Sequence, residues 1–272
     1  MGGGEVSGQA PRSISVVIPA KNAARVIGET LASVRGAAFS AGVPVEIVVV
    51  DDGSSDGTGR AAIAAGAHRV VRTPGYGFKQ GLHVYGIGAV RNAGIRASSG
   101  EAIASLDADC RVVWDYFARM MGGFRRGYPI VAGQRRPRDF GNPGQYAFKA
   151  VSDRVLGWRT AFAVEPCVGF LRVICPDGSC FDALAHTEVR GIVEGRRHKV
   201  FHDPLMIAYT SFGGWRGALG RIVARGAPAL AIEAISNNFA DMAGTSRRYQ
   251  GRRVPEAIGE LLGSVWRAAR AQ

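Results

Sequence analysis

An apolar run from Ala102 to Leu106 stops at two carboxylates one residue apart, Asp107 and Asp109, in the stretch SLDADCRV. Like charges that close repel, and each carboxylate prefers water. Two arrangements relieve the repulsion: a solvated turn, or a hard divalent cation held by oxygen ligands. In an extended segment residues i and i+2 point to one side, so both carboxylates can aim at one ion. Two more polar clusters end apolar runs in the same way: Lys21 and Asn22 after SVVIPA, and Asp51 and Asp52 after EIVVV. Glycine-rich phosphate loops are excluded. No G-x-x-x-x-G-K-[ST] is present. GIGAVR, 86–91, has Arg91 where the third glycine of a dinucleotide fingerprint belongs, and GYGFKQG, 75–81, has one residue too many.

The elements that must position these clusters read as alternating strands and helices. SISVVIPAKN, 13–22, has a β-branched run ending at Pro19 and reads as a buried strand. Val26, Ile27, Leu31 and Val34 follow at helical spacing. A second strand is expected over 45–50, and Ser55 or Asp56 as cap of a helix over 57–66. HRVVRT gives a third strand, 84–98 a helix, and EAIASL a fourth strand. Such alternation implies a parallel sheet covered on both faces, with ligands beyond the carboxyl ends of its strands. The three polar clusters then share one rim. The second half is less regular: a helix over 114–126, a strand in YPIVAGQ, a loop in RRPRDFGNPGQ and a strand in FLRVIC. HTEVRGIVEGRRHKVFHDP reads as helix then strand, and MIAYTS as a further short strand. Residues 214–272 read as helical, with Ile258, Leu261, Leu262 and Val265 on one face near the end.

At 272 residues and 47% hydrophobic content the chain can bury a substantial core. Its apolar runs break before the ~18 residues that a spanning helix needs. The net charge is +12, carried almost entirely by Arg, which suits bidentate contact with phosphate. A nucleic acid, an anionic membrane and a phosphorylated small molecule all fit that charge, and so does a general bias toward Arg. No zinc-finger, homeodomain or RNA-recognition signature is present, so no nucleic-acid partner is expected. Cys110, Cys167, Cys175 and Cys180 form no C-x-x-C pair, which argues against zinc. Buried or free thiols are the expectation, with a Cys175–Cys180 disulfide as the alternative. MGGGEVSGQAPRS has no signal-peptide core, and Val6 breaks the myristoylation pattern. It reads as a flexible leader over 1–12 on a cytoplasmic protein.

VVIPAKN, EIVVVDDGSSDGT, GAVRNAGIRASSGE and IASLDADC, in that order and spacing, resemble the family 2 glycosyltransferases of the GT-A fold. The resemblance covers residues 13–125 and continues more weakly to 212. It implies an α/β fold with a Rossmann-like, mostly parallel central sheet, helices on both faces and a C-terminal helical extension. The boundaries expected are a GT-A domain over 13–212, split into a nucleotide-binding half, 13–133, and an acceptor half, 134–212, then the extension, 213–272. The implied activity is hexosyltransferase-type: a sugar moves from a nucleotide-diphosphate sugar to an acceptor hydroxyl, in glycan, polysaccharide or glycolipid synthesis. The acceptor is a glycan or a lipid-linked saccharide, and a polyprenyl phosphate is the alternative. Mn²⁺ or Mg²⁺ would bridge the diphosphate, with Asp107 and Asp109 as ligands. Asp107 and Ala108 of the D-x-D would also line the nucleotide sugar. Asp52 is expected to accept a hydrogen bond from the nucleobase, with Asp51 shaping that pocket. Pro19, Ala20 and Asn22 would line base and ribose, and Gly53 and Ser54 would let the chain turn beneath them. Arg91 and Asn92 match the family's RN block, close to the nucleotide. Asn22 as a turn residue and Arg91 as partner of a rim carboxylate are the competing assignments. Lys79 either reaches phosphate or is solvated.

Inverting members of the family use a carboxylate to take the proton of the attacking hydroxyl. FDALAHTEVR resembles the family segment that carries it, but Thr187–Glu188 stands where Glu–Asp is usual. Glu188 is the expected base, with His186 and Asp182 as rivals, and a helix-start Glu as the plain alternative. A relative that has lost its base, a non-catalytic sugar-nucleotide binder, is the competing reading. His202 is a candidate further metal ligand. Trp158, Phe162, Trp215 and the loop 135–145 are candidates for an acceptor wall. The basic C-terminal helices either pack on the domain or rest on an anionic membrane at the inner face of the cell membrane.

Overall fold

The structure, a computed structural model, describes residues 10–76, 86–138, 167–181 and 198–210. All of these belong to one compact unit, Met1–Phe140 with Arg159–Ser211. The expected extension, 213–272, lies outside the described residues, as does nearly all of the leader.

In chain order the elements are β1 (Ile14–Ala20), α1 (Ile27–Ala38), β2 (Val45–Asp52), α2 (Thr58–Ala64), β3 (Arg69–Thr73), α3 (Ile87–Arg96) and β4 (Ala102–Ser105). There follow β5 (Arg111–Val112), α4 (Tyr116–Arg125), β6 (Ile130–Pro137), β7 (Val168–Leu171) and β8 (Val200–Thr210). One sheet holds every strand in the order β3-β2-β1-β4-β7-β6-β8-β5. β1, β2, β3 and β4 are mutually parallel, as the alternation requires. β7 runs antiparallel to both β4 and β6, so β6 points the same way as β4. β8 is parallel to β6, and β5 antiparallel to β8.

Every residue of β1 is buried, because both faces of the sheet are covered. Its alternate residues feed two cores. Val16 and Ile18 pack with Ile27, Leu31 and Val34 of α1 on one face. Val17 packs with Val90 and Ile95 of α3 on the other. β1 runs one residue past Pro19, which pairs with Val50 of β2. Proline is tolerated there because the pairing with β4 has already ended at Val17 and Ser105.

The structure departs from the reading of the sequence at several elements. β5 has no counterpart in it, and β6 runs on to Pro137 through the first residues of RRPRDFGNPGQ, read as a loop. β2 extends to Asp52, so both of its terminal aspartates belong to the strand. FLRVIC is a strand only to Leu171, and Arg172–Ile174 turn as a 3₁₀ segment. There Arg172 swings onto the end of α3 and donates to the Ile95 and Gly100 carbonyls at 2.9 and 2.6 Å. KVFHDP and MIAYTS, read as separate strands, are one strand of 11 residues with Pro204 inside it. Ala132 faces His202 and Gln134 faces Ile207, so Gly133 alone opposes 203–206. This bulge accommodates Pro204, where no ladder N–H is needed. It also requires Gly133, since a Cβ there would sit 2.1 Å from the Met206 carbonyl oxygen. Among the described residues no helix is long and apolar enough to cross a membrane.

Candidate active site

The aspartate pair lies on a turn rather than on an extended segment. β4 ends at Ser105, where its pairing with β1 and β7 ends. The chain then reverses: the Cys110 N–H donates to the Asp107 carbonyl at 3.2 Å, and β5 returns along β8. The turn is tied down at its centre, where Thr30 of α1 donates to the Ala108 carbonyl at 2.6 Å. Its carboxylates converge all the same. An oxygen of Asp107, an oxygen of Asp109 and the sulfur of Cys110 lie within 4.8 Å of one another. Each aspartate is held from elsewhere in the fold. Arg91 Nη2 donates to Asp107 Oδ1 at 2.8 Å, and Thr210 Oγ1, at the end of β8, to Asp109 Oδ1 at 3.1 Å. Burial, with Asp107, Cys167 and Asp109 nearby, pushes the Cys110 thiol well up, so it stays protonated. The donors on offer are thus two partly exposed hard oxygens beside a neutral thiol. That set fits Mg²⁺ or Mn²⁺, which take carboxylates and fill their remaining positions with water and phosphate.

The carboxylates at the end of β2 are differently placed. Asp51 is 1% exposed and Asp52 3%. Asp51 Oδ1 accepts from the Ser54 N–H at 3.0 Å, which closes the turn after the strand. Gly53 makes that turn in the left-handed region at φ 68, and a Cβ on it would press on Gly75 at 3.2 Å. Asp52 Oδ1 accepts from the Thr73 hydroxyl at 2.6 Å and the Tyr76 N–H at 2.8 Å, while Lys21 Nζ stands 4.0 Å from Oδ2. Asp52 therefore joins the loops after β1, β2 and β3. Asn22 adopts a positive φ of 50. Its side chain accepts from the Ser55 N–H at 3.0 Å, and its own N–H donates to Ser54 Oγ at 2.9 Å. It acts as a turn residue that laces the first two loops together. Pro19 and Ala20 are buried within β1. Neither Ser55 nor Asp56 is the cap of α2: that position is Gly57, which makes no side-chain cap contact, and Asp56 just before it accepts from the Thr58 N–H at 3.0 Å.

The RN block sits on α3 with both side chains turned into the protein. Arg91 is 3% exposed and Asn92 5%. Arg91 pairs with Asp107, as its competing assignment has it. Asn92 binds the backbone of Phe181, donating to its carbonyl at 2.7 Å and accepting from its N–H at 2.9 Å.

Residues 15–177 match glycosyl transferase family 2. The chain belongs to that family. Its similarity to curated members is partial. It is 31% identical over 131 residues to the undecaprenyl-phosphate 4-deoxy-4-formamido-L-arabinose transferase of Klebsiella pneumoniae subsp. pneumoniae, covering 47% of this chain and 38% of the relative. It is 29% identical over 125 residues to the enzyme of that name from Aeromonas hydrophila, covering 46% and 37%. The matches thus span well under half the length of these relatives. Among solved structures, the mannosyltransferase PcManGT from Pyrobaculum calidifontis, in complex with GDP-Man and Mn²⁺, superposes with a TM-score of 0.57 at 20% identity, over 79% of this chain and 61% of that one. TarS 1–349 of S. aureus in complex with UDP gives 0.55 at 16% identity, over 74% and 61%. These likenesses establish the GT-A fold.

Within this family 2 domain, Asp107, Ala108, Asp109, Arg91, Asp51, Asp52, Gly53 and Asn22 gather at the carboxyl ends of the strands or brace the loops there. His202 is not among the side chains that converge on the aspartates; it is exposed at the start of β8, opposite Ala132. Glu188, His186, Asp182, Lys79, Trp158, Phe162, Trp215 and residues 139–145 lie outside the described residues. Thr30, Phe181 and Thr210 escaped the reading of the sequence. Each meets its partner across 78 to 101 residues of chain, and no local pattern marks such a contact.

Proposed function

We propose that this protein is a divalent-metal-dependent, inverting glycosyltransferase that takes its sugar from a nucleotide-diphosphate donor. The convergence of Asp107 and Asp109 on one turn, each fixed by a partner from another element, carries that reading. Bound between them, Mn²⁺ or Mg²⁺ would supply positive charge to the leaving diphosphate. The chain's own residues do the rest. Arg91 and Thr210 orient the two carboxylates. Asp52, braced by Thr73, Tyr76 and Lys21, presents its edge of the rim to the nucleobase. Gly53 and Ser54 keep the floor beneath the ribose low. Glu188 takes the proton from the attacking hydroxyl.

The curated relatives favour a second reading of the acceptor. They are named for transfer to undecaprenyl phosphate, and both are about 30% identical to this chain where they match. A phosphate acceptor changes the chemistry, because its oxygen is largely ionised at neutral pH and needs no base. It would also bring the enzyme to the inner face of the cell membrane. Glu188→Gln separates the two readings. Transfer to a hydroxyl should fall by roughly 10²–10⁴. Transfer to undecaprenyl phosphate should fall less than about tenfold, since no general base is withdrawn. The assay is run with GDP- and UDP-sugars in Mn²⁺ and in EDTA. Transfer undiminished by EDTA would refute the metal dependence.

A further inference from the structure

One cysteine pair lies on the segment that packs against α3 and has no part in the proposed reaction. Cys175 and Cys180 form a buried disulfide, where buried or free thiols are the default expectation, while Cys110 and Cys167 are buried thiols outside that bridge. The segment that carries the bridge clasps α3 at two points. At the helix's C-terminal end Arg172 donates to the Ile95 carbonyl at 2.9 Å, Ser98 Oγ at 2.7 Å and the Gly100 carbonyl at 2.6 Å. One turn further up, the Asn92 amide holds both backbone groups of Phe181. The bridge lies between these clasps and ends one residue before Phe181. The Phe181 ring is buried and lies 5.6 Å from the Arg91 guanidinium, within the range of a cation–π contact. Arg91 in turn holds Asp107 at 2.8 Å. An unbroken series of contacts therefore joins the disulfide to a candidate metal ligand.

We propose that the bridged segment 172–181 is a positioning element for Asp107, so that the state of Cys175–Cys180 sets the affinity of the aspartate pair for a divalent cation. This rests on the reading of Asp107 and Asp109 as metal ligands. With the bridge closed, Phe181 is fixed on α3 and Arg91 has one place to stand. Residues that orient a metal ligand in this way typically change metal affinity 10–100-fold when altered. With the bridge open, the segment ahead of Phe181 gains freedom, and Phe181 holds Arg91 less firmly. The opening step needs a dithiol reductant. The Cys175–Cys180 bond breaks, each cysteine takes one electron and one proton, and the two sulfurs of the reductant join as its own disulfide. Disulfides that form in a reducing compartment are usually transient and serve catalysis or redox sensing.

The test is Mn²⁺ binding, read from the electron paramagnetic resonance of free Mn²⁺, on the full chain with UDP or with GDP. The oxidised protein is compared with the dithiothreitol-reduced protein, Cys175→Ser/Cys180→Ser, Phe181→Leu, Phe181→Tyr and Asp109→Asn. Reduction, the double serine variant and Phe181→Leu should each weaken Mn²⁺ binding by about tenfold. Phe181→Tyr, which keeps the ring over Arg91, should restore it; a purely structural role for the loop predicts no such rescue. If the reduced protein and Phe181→Leu bind Mn²⁺ as the oxidised protein does, while Asp109→Asn does not bind, the metal reading stands and the positioning role is overturned. If the oxidised protein takes up no Mn²⁺ with either nucleotide, both fall. Should the double serine variant fail to fold, the reduced wild type and the Phe181 pair decide.

Discussion

Two pairs of carboxylates end two runs of apolar residues on either side of β1, and the fold uses them in opposite ways. Asp51 and Asp52 are adjacent in β2, so the strand's period of two sends them to opposite sides. Each meets protein groups that satisfy it: Asp51 closes its own turn, and Asp52 ties three loops together. Asp107 and Asp109 stand two apart on a turn and face the same space. They are held from behind, by Arg91 and Thr210, and keep part of their surface open. A carboxylate committed to N–H and O–H donors inside the protein builds the rim. A pair left converging and partly open is available to a cation. Spacing and burial separate the two roles, although the sequence writes both as aspartates after a strand.

The difference predicts a crossed pattern of mutational effects. The largest belongs to Asp109→Asn. Losing one of two anionic ligands should lower transfer by about a hundredfold or more, some 2.7 kcal/mol of transition-state stabilisation. Thermal stability without ligand should hardly change, because the substitution also relieves repulsion from Asp107. Asp51→Ala should do the reverse. It leaves the buried turn around Ser54 without its acceptor and should destabilise the fold by about 2 kcal/mol, with Mn²⁺ affinity unchanged. Denaturant unfolding and Mn²⁺ titration on the two variants check both halves. A loss of stability in Asp109→Asn equal to that in Asp51→Ala would erase the distinction.

The same contrast explains what could be read in advance. The strand–helix alternation over β1 to β4 was legible because each element announces itself locally, in runs such as SVVIP and EIVVV. The rim was legible too, because a parallel sheet puts its polar ends together. What the side chains do at that rim was less so. Asn22 and Arg91 match the family's nucleotide-binding blocks, yet one laces two loops and the other serves Asp107. The local motif is the same in either role, and only the folded neighbours differ. The D-x-D was read as extended and is a turn, because β4 loses both neighbours at Ser105, a limit set by distant strands. β5 has two residues and exists through pairing with β8, nearly a hundred residues later. KVFHDP and MIAYTS read as two strands, and the bulge opposite Gly133 makes them one, with Pro204 inside it.

A smaller effect tests how the open pair is held. Thr210→Val keeps the shape of a buried side chain and deletes the hydroxyl that reaches Asp109. One hydrogen bond to a carboxylate, about 1.5 kcal/mol or roughly tenfold in Mn²⁺ affinity, is the expected loss. Unfolding free energy should move less than that affinity does. If Mn²⁺ affinity is unchanged, Asp109 is oriented by the turn alone.

The smallest effect belongs to a third carboxylate, at the opposite end of the sheet, where β1, β2 and β4 begin. Glu46 accepts from the Ser15 hydroxyl at 2.6 Å and from the Ser99 N–H at 2.8 Å and its hydroxyl at 3.0 Å. Burial raises its pKa, but these hydrogen bonds and Arg69 outweigh burial and hold it below the ordinary value of 4.5. A carboxylate whose folded value is depressed stabilises the fold above its unfolded value, and that stability is lost as pH falls through the folded value. Wild type should therefore exceed Glu46→Gln in melting temperature at neutral pH. The gap should close as the pH drops below about 4.5, where the unfolded chain takes up its proton first. Because Glu46 is only partly shielded from solvent, the gap should correspond to no more than about 1 kcal/mol. A gap that persists at pH 3 would mean that Glu46 acts through packing rather than charge. A gap that grows in acid would mean that its carboxylate, unlike Asp51 and Asp52, is poorly satisfied where it sits.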